Sequence, residues 1–281
     1  MRDFYDSKLH DKLSNTLLTI ALFMMASLYL FPLLWLFISS LKPASELFSY
    51  PLTLLPQNPT FDNYVQAWNT IDFMRYFSNT AITTITTTLL TVLASATCGY
   101  ALAKYNYKWL KIFFVCIIST TMLPTEVIMT PTFTVIRSLG LFNTLAGVIL
   151  PSINTATGIF MFRQFFMTVP DDLIESARID GANEGSIFFK IMLPIAKPIV
   201  LTLAIFSFQW RWNDFIWPLI VLNDPRNFTI QVALRRLVGA ETINWTILLA
   251  ASIISIIPLF IVFFVLQRYI MDSGATSGIK G

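Results

Sequence analysis

Histidine is almost missing from this 281-residue chain, where His10 stands alone in a polar N-terminal tail. A His-based metal site or a His-dependent catalytic triad therefore cannot be assembled from it. Cysteine is nearly as scarce. Cys98 and Cys116 both fall inside apolar runs, so they read as two buried free thiols and suggest no disulfide framework. Charge is the third shortage, at 12% of residues, about half the share found in soluble domains. The net charge of +3 follows a one-sided loop distribution rather than a concentrated patch, so no nucleic-acid surface is indicated.

Apolar residues fill the space that charge leaves. They make up 55% of the chain, and the mean hydropathy is +0.66, which indicates an integral membrane protein. Runs long enough to cross the hydrocarbon as helices recur near residues 14–39, 78–103, 109–134, 142–164, 199–222 and 246–267. The fold class expected is therefore all-α and polytopic, with six transmembrane helices. The first run follows Arg2, Lys8 and Lys12 but is too long for a signal peptide and lacks a small-residue cleavage site, so it reads as a retained span.

Six spans place both termini on one side. With the N-terminus cytoplasmic, 12 Lys and Arg residues fall inside (Lys104, Lys108, Lys111, Arg163, Arg178 and Lys190 among them), and 6 fall outside. That bias puts both termini in the cytoplasm. The division expected is a cytoplasmic tail over 1–13, a transmembrane domain over 14–267 with a polar loop at 168–198, and a second cytoplasmic tail over 268–281. The outer loop at 41–77 carries Pro43, Pro51, Pro56 and Pro59 ahead of an aromatic segment, as expected of turns leading into a short interfacial helix. The basic turn at 104–111 is too short for anything but antiparallel neighbours.

Three features inside the spans have polar chemistry. Thr80, Thr84, Thr87, Thr91, Ser95, Gly99 and Ala103 recur every three or four residues and place small groups on one helical face, which serves either close packing or the lining of a path. Glu126 lies beside Pro124 in the third run, where it is a functional carboxylate, an interfacial one, or a protonated packing group. The fifth run contains Arg211, Trp212, Asn213, Asp214 and Trp217. Arg211 and Asp214 are three apart and share a face. Aromatic planes with a few polar groups suit a sugar-like ligand, while an ion pair inside an aromatic belt is the structural alternative.

The segment from Glu175 to Pro198 is a polar island between two membrane-length runs. Pro170, Asp171 and Asp172 look like a helix start, and Gly181 can take the left-handed conformation that ends one. A second helix is expected over 183–192, with Ile187, Phe188, Ile191 and Met192 on its apolar face, until Pro194 and Pro198 redirect the chain. Two short helices meeting at a glycine make a compact knob, with Ile187, Phe188 and Ile191 as its expected grip on a partner.

Here the chain resembles a known family. Glu175, Ala177, Asp180, Gly181, Ala182, Leu193 and Pro194 match the E-A-A-x-x-x-G loop of binding-protein-dependent ABC importer permeases, with Ser176 where the family often has Ala. The F-R-Q-F-F at 162–166, the W-N-D-F-I-W-P-L at 212–219 and the terminal G-A-T-S-G-I-K-G are similar to the MalG-like carbohydrate branch, which also includes glycerol-3-phosphate permeases. The resemblance implies a non-catalytic subunit of the prokaryotic cytoplasmic membrane that forms half of a path for a sugar or oligosaccharide, or for glycerol 3-phosphate or a polyol. The chain has no G-x-x-x-x-G-K-[ST] loop, so ATP and Mg would sit on a partner ATPase and no cofactor on this chain. The resemblance further implies a homologous second permease, an ATPase dimer held by the loop around Asp180 and Gly181, an external solute-binding protein, and a tail at Gly278, Lys280 and Gly281 that reaches the ATPase. Arg211, Trp212, Asn213, Asp214, Trp217 and Glu126 are the candidates for the path.

Two other classes compete. An intramembrane enzyme is disfavoured because no nucleophile and base share a face. A secondary carrier is disfavoured because no Gly/Pro-interrupted pair of spans repeats between the halves.

Overall fold

The computed structural model describes the backbone of residues 2–70, 72–239 and 243–275, and the side chains within 15–69, 72–239 and 243–267. The described residues contain helices and no strand. In chain order the helices are α1 (Arg2–Ser40), α2 (Ala44–Leu47), α3 (Asp62–Thr70), α4 (Phe73–Lys104), α5 (Lys108–Ser119), α6 (Thr125–Ser138), α7 (Leu145–Ser152), α8 (Ala156–Thr168), α9 (Asp172–Ile179), α10 (Glu184–Ile187), α11 (Leu193–Ile195), α12 (Lys197–Trp212), α13 (Ile216–Val221), α14 (Ile230–Val238) and α15 (Trp245–Ala275).

The chain divides into two compact units, residues 1–71 with 237–254 and residues 72–236 with 255–281. In the first, α1 exposes large apolar side chains from Leu17 to Phe37 around its whole circumference, as a lipid-facing span does. The proline-rich loop behind it is pinned by buried polar groups. Lys42 donates from Nζ to the Thr53 carbonyl and lies 5.1 Å from the Trp35 ring. The Glu46 carboxylate accepts the backbone N–H groups of Gln57 and Asn58 at 2.9 and 3.0 Å. Asn63 donates to the carbonyls of Ser40 and Lys42, which fixes the expected interfacial helix, α3, against the end of α1.

In the second unit α4 is the spine, packed chiefly on α8, α12 and α7. Its small-residue face is buried: Thr80, Thr84, Thr87, Thr91 and Ser95 are almost wholly enclosed. At Gly99 an added Cβ would stand 2.6 Å from Phe162 Cβ and 2.9 Å from the Arg163 backbone nitrogen, so only glycine permits this approach of α4 to α8. Of the two readings open for that face, packing is the one the structure realises.

Among the described residues three helices are long and apolar enough to cross a bilayer, and three bent pairs also pass that test, which is consistent with six spans. The expectation of uninterrupted spans is corrected. The third run breaks between α5 and α6 with a bend of 111°, and the fourth breaks between α7 and α8 with one of 42°. The fifth run is also not one helix, since α12 stops at Trp212 and α13 starts at Ile216. Proline shapes the backbone at these breaks, because it lacks an N–H and clashes with the carbonyl four residues back, although Pro151 lies within α7 and the break after Ser152 follows it. Pro124 bars continuation past Thr120, whose carbonyl instead takes a tight bond from the Leu123 N–H at 3.2 Å. Pro151 leaves the Gly147 carbonyl without its helical donor, and the Trp217 indole fills the vacancy at 3.2 Å. Pro218 similarly excludes a regular turn through Asp214. Cys116 faces outward on α5, in contrast to the buried thiol expected.

Candidate functional site

Two sites emerge, a knob at one end of α4 and a cavity where the broken spans meet. The knob begins with α9, whose first turn contains Asp172 and Glu175, where their charges favour the helix dipole. Gly181 ends it with φ of +82°. The Gly181 N–H bonds the Arg178 carbonyl and the Ala182 N–H the Ala177 carbonyl, both at 3.0 Å. This is a Schellman closure, and it accounts for the glycine expected at that corner. Asn183 then caps α10, its side-chain oxygen accepting the Ser186 N–H at 2.8 Å.

The single helix expected over 183–192 is instead a composite. After α10 the backbone widens into a π-helical stretch over Phe188–Met192 before α11. Pro194 supplies no N–H to the Lys190 carbonyl, so the regular ladder cannot run on.

Burial reverses part of the predicted chemistry of the knob. Ile187, Phe188 and Met192 are enclosed by this chain's own core, with Tyr100, Phe162, Phe166 and Leu203, together with Ile174 and Ala177 from α9. Ile191 and Leu193 pack against that core, partly buried. The grip expected from Ile187, Phe188 and Ile191 is therefore an internal anchor. The apolar groups turned furthest outward are Ile179, 87% exposed, and Phe189, 56% exposed, ahead of Ile195 and Leu173. The apolar face expected of Ile187, Phe188, Ile191 and Met192 is thus the buried one, and it covers this chain's own core rather than a partner. Glu175, Asp180 and Gly181 are exposed, Ala182 is partly buried, and Pro194 is exposed.

Polar contacts tie the knob to α4. Lys104, at the end of α4, donates from Nζ to the Val169 carbonyl at 2.5 Å and pairs with Asp171 at 2.6 Å. Tyr105 donates to Glu184 at 2.7 Å, and Arg178 reaches the other oxygen of that carboxylate at 2.8 Å. Hydrogen bonds from Arg178 and Tyr105 hold the Glu184 carboxyl below the usual carboxylate range. Burial and the bond to Glu184 push the Tyr105 phenol up. The spacing in the sequence contains no hint of the pairings of Lys104 with Asp171 and Tyr105 with Glu184, which are 67 and 79 residues apart.

The second site is a cavity of about 540 Å³ within the second unit. Its walls include Trp210, Arg211, Asp214 and Trp217, with Met129 and Thr132 of α6 opposite. Arg211 Nη1 lies 3.6 Å from Asp214 Oδ2. That satisfies the charge balance expected of the pair, although Asp214 stands beyond the helix end rather than on its face. Arg211 Nε is buried with no hydrogen-bond partner. The rest of the predicted cluster divides. Trp212 is buried, donates from Nε1 to the Ser255 carbonyl at 2.8 Å and stacks on Phe208, so it belongs to the packing. Asn213 bonds back to the Gln209 carbonyl at 3.0 Å. Glu126 is exposed in the first turn of α6, at the end of the dipole that favours a carboxylate, and does not line the cavity. The predicted tail contacts Gly278, Lys280 and Gly281 lie outside the described residues. Among the described residues no cluster of His, Cys, Asp or Glu could hold a metal ion.

Residues 95–272 match the family described as binding-protein-dependent transport system inner membrane component. The chain is 38% identical over 267 residues to the arabinooligosaccharides transport system permease protein AraQ of Bacillus subtilis, covering 94% of this chain and 95% of that one. It is 32% identical over 263 residues to the sn-glycerol-3-phosphate transport system permease protein UgpE of Escherichia coli, covering 91% and 92%. Among solved structures it is similar to a chain of a bacterial ABC transporter involved in the import of the acidic polysaccharide alginate. There the TM-score is 0.84 at 25% identity, over 92% of this chain and 97% of that one.

Proposed function

Because this chain belongs to the family of binding-protein-dependent transport system inner membrane components, we propose that it is half of the translocation path of an ATP-driven carbohydrate importer. A homologous permease supplies the other half, a solute-binding protein outside delivers the cargo, and an ATPase dimer drives the cycle from the cytoplasm. ATP and Mg belong to that ATPase, and this chain performs no catalysis. The relatives support a saccharide cargo through AraQ, and the UgpE relatives support glycerol 3-phosphate as the second reading.

The observation that carries the mechanism is the knob. Its core side chains are continuous with those of α4, α8 and α12, while Ile179 and Phe189 face outward beside the Gly181 corner. A push on the exposed face is then carried into the spans through packed side chains, which do not compress. A partner that contacts the knob differently in two nucleotide states biases two packings of the spans, as alternating access requires. The tail at Gly278, Lys280 and Gly281 is assigned by resemblance as a second ATPase contact.

Gly181→Val tests the docking. Nothing lies within 4 Å of an added Cβ, so the variant meets no clash and acts through the backbone, since φ of +82° is disfavoured for valine. In proteoliposomes holding the complete importer, ATP-dependent uptake is expected to fall while membrane insertion stays intact. Normal, ATPase-coupled uptake by that variant would refute the docking assignment.

A further inference from the structure

The three breaks converge on one place. Thr120 and Thr125 flank the first, Ser152 and Asn154 the second, and Arg211 and Asp214 the third, and all six line the same cavity. Each break falls inside an apolar run of membrane length. Non-helical backbone at membrane depth persists only where it is buried in protein or lines a wet cavity, because lipid cannot satisfy the freed N–H and C=O groups. One broken span is a local accident, but three whose ends share a cavity form a chamber whose mainly apolar wall carries polar groups at each break. Broken helices that meet in this way are how membrane proteins bring backbone and side-chain polar groups to a solute.

From this convergence we infer that the cavity is a solute-binding site on this subunit for one neutral glycosyl unit of the cargo. The inference rests on the importer reading above and names the cargo class for it. A volume of about 540 Å³ lies within the range of small-ligand sites, roughly 300–1,000 Å³. Trp210 is 43% exposed, with its ring stacked on Phe206 at 5.9 Å, and offers the flat apolar plane that a sugar ring's C–H face requires.

The ion pair selects against anions. At 3.6 Å, the Arg211 and Asp214 side chains neutralise each other without a direct hydrogen bond between them. A sugar hydroxyl both donates and accepts, so it can bridge them, giving its proton to Asp214 and taking one from Arg211. A phosphate or uronate would meet a guanidinium already neutralised and a carboxylate of its own sign beside it. The site therefore favours a neutral saccharide over glycerol phosphate or an acidic sugar, although relatives of this chain are named for both kinds of cargo.

The test uses the assembled importer in nanodiscs without its solute-binding protein, so that selectivity at this site is read by itself. Equilibrium binding of arabinotriose and maltotriose is compared with that of glycerol 3-phosphate and trigalacturonate. Asp214→Asn and Arg211→Gln are expected to weaken neutral trisaccharide binding by about tenfold or more, as loss of a hydrogen bond to a charged group does. Asn154→Ala, an exposed position in another break, tests the chamber without touching the ion pair and is expected to weaken binding about threefold or more. Tighter binding of either anion overturns the neutral assignment. Absence of binding by all four probes, or binding unaffected by the three variants, overturns the site. ATP-driven uptake by the complete wild-type importer is measured alongside. If it fails for every sugar, the importer reading falls; if it is intact while the variants have no effect on binding, only the chamber falls.

Discussion

Ile187→Ala and Ile179→Ala form a matched pair that separates anchor from contact. Ile187 is 0% exposed inside the core formed by the knob, α4, α8 and α12, whereas Ile179 on the same knob is 87% exposed. Truncating Ile187 removes three buried carbons and leaves a cavity whose lining cannot fully collapse, at a cost of roughly 2–5 kcal/mol. Truncating Ile179 removes an exposed group, where effects stay within about 0.5 kcal/mol. Thermal unfolding of the purified chain in detergent, followed by tryptophan fluorescence, is expected to show a lowered transition for Ile187→Ala and an unchanged one for Ile179→Ala. ATPase coupling in the assembled importer should show the opposite pattern for Ile179→Ala, with transport reduced at unchanged stability. An unshifted transition for Ile187→Ala, or a large shift for Ile179→Ala, would refute the division of the knob into inner and outer faces.

Gly99→Ala should destabilise the packing of α4 on α8 by about 1–3 kcal/mol, because the new methyl meets Phe162 Cβ and backbone that cannot swing away; a thermal transition unchanged from wild type would contradict the close approach. Trp217→Phe leaves the Gly147 carbonyl without the indole donor beside Pro151 and should cost about 1–3 kcal/mol, read in the same unfolding assay. The Glu184 carboxyl is held low by Arg178 and Tyr105, so its contribution is present above the unfolded carboxylate value of about 4.3 and is lost as pH falls through the lower folded value. Both partners in that ion pair are about half exposed, so the contribution is below about 1 kcal/mol. The stability difference between wild type and Glu184→Gln should accordingly shrink from pH 7 toward pH 3, and a difference that grew on acidification would reverse the sign of the argument.

The knob shows how far local chemistry carries. Gly181 was legible as a helix end because a residue just past a helix that must turn left-handed is best served by glycine. The start of α9 was legible from Pro170, Asp171 and Asp172 for the same kind of local reason. The apolar face of the second part, Ile187, Phe188, Ile191 and Met192, was legible from helical spacing, but what it covers was not, since Phe162, Phe166 and Leu203 reach it from other helices. In the fifth run, Arg211 and Asp214 were rightly paired by spacing, but their neighbours Trp212 and Asn213 were grouped with them only by adjacency. Trp212 instead turns to the Ser255 carbonyl, 43 residues away.

By itself the sequence determined a polytopic helical membrane protein, a polar knob closed at Gly181, and a family resemblance spread across separated motifs, because hydropathy, dipole-matched termini and glycine geometry act over a few residues. Only the tertiary structure decided that the apolar face of the knob covers this chain's own core, that the threonine face of α4 is packing, and that three breaks share one chamber. Those outcomes depend on partners tens of residues distant, such as Trp217 answering the carbonyl that Pro151 leaves free, and no local period encodes them.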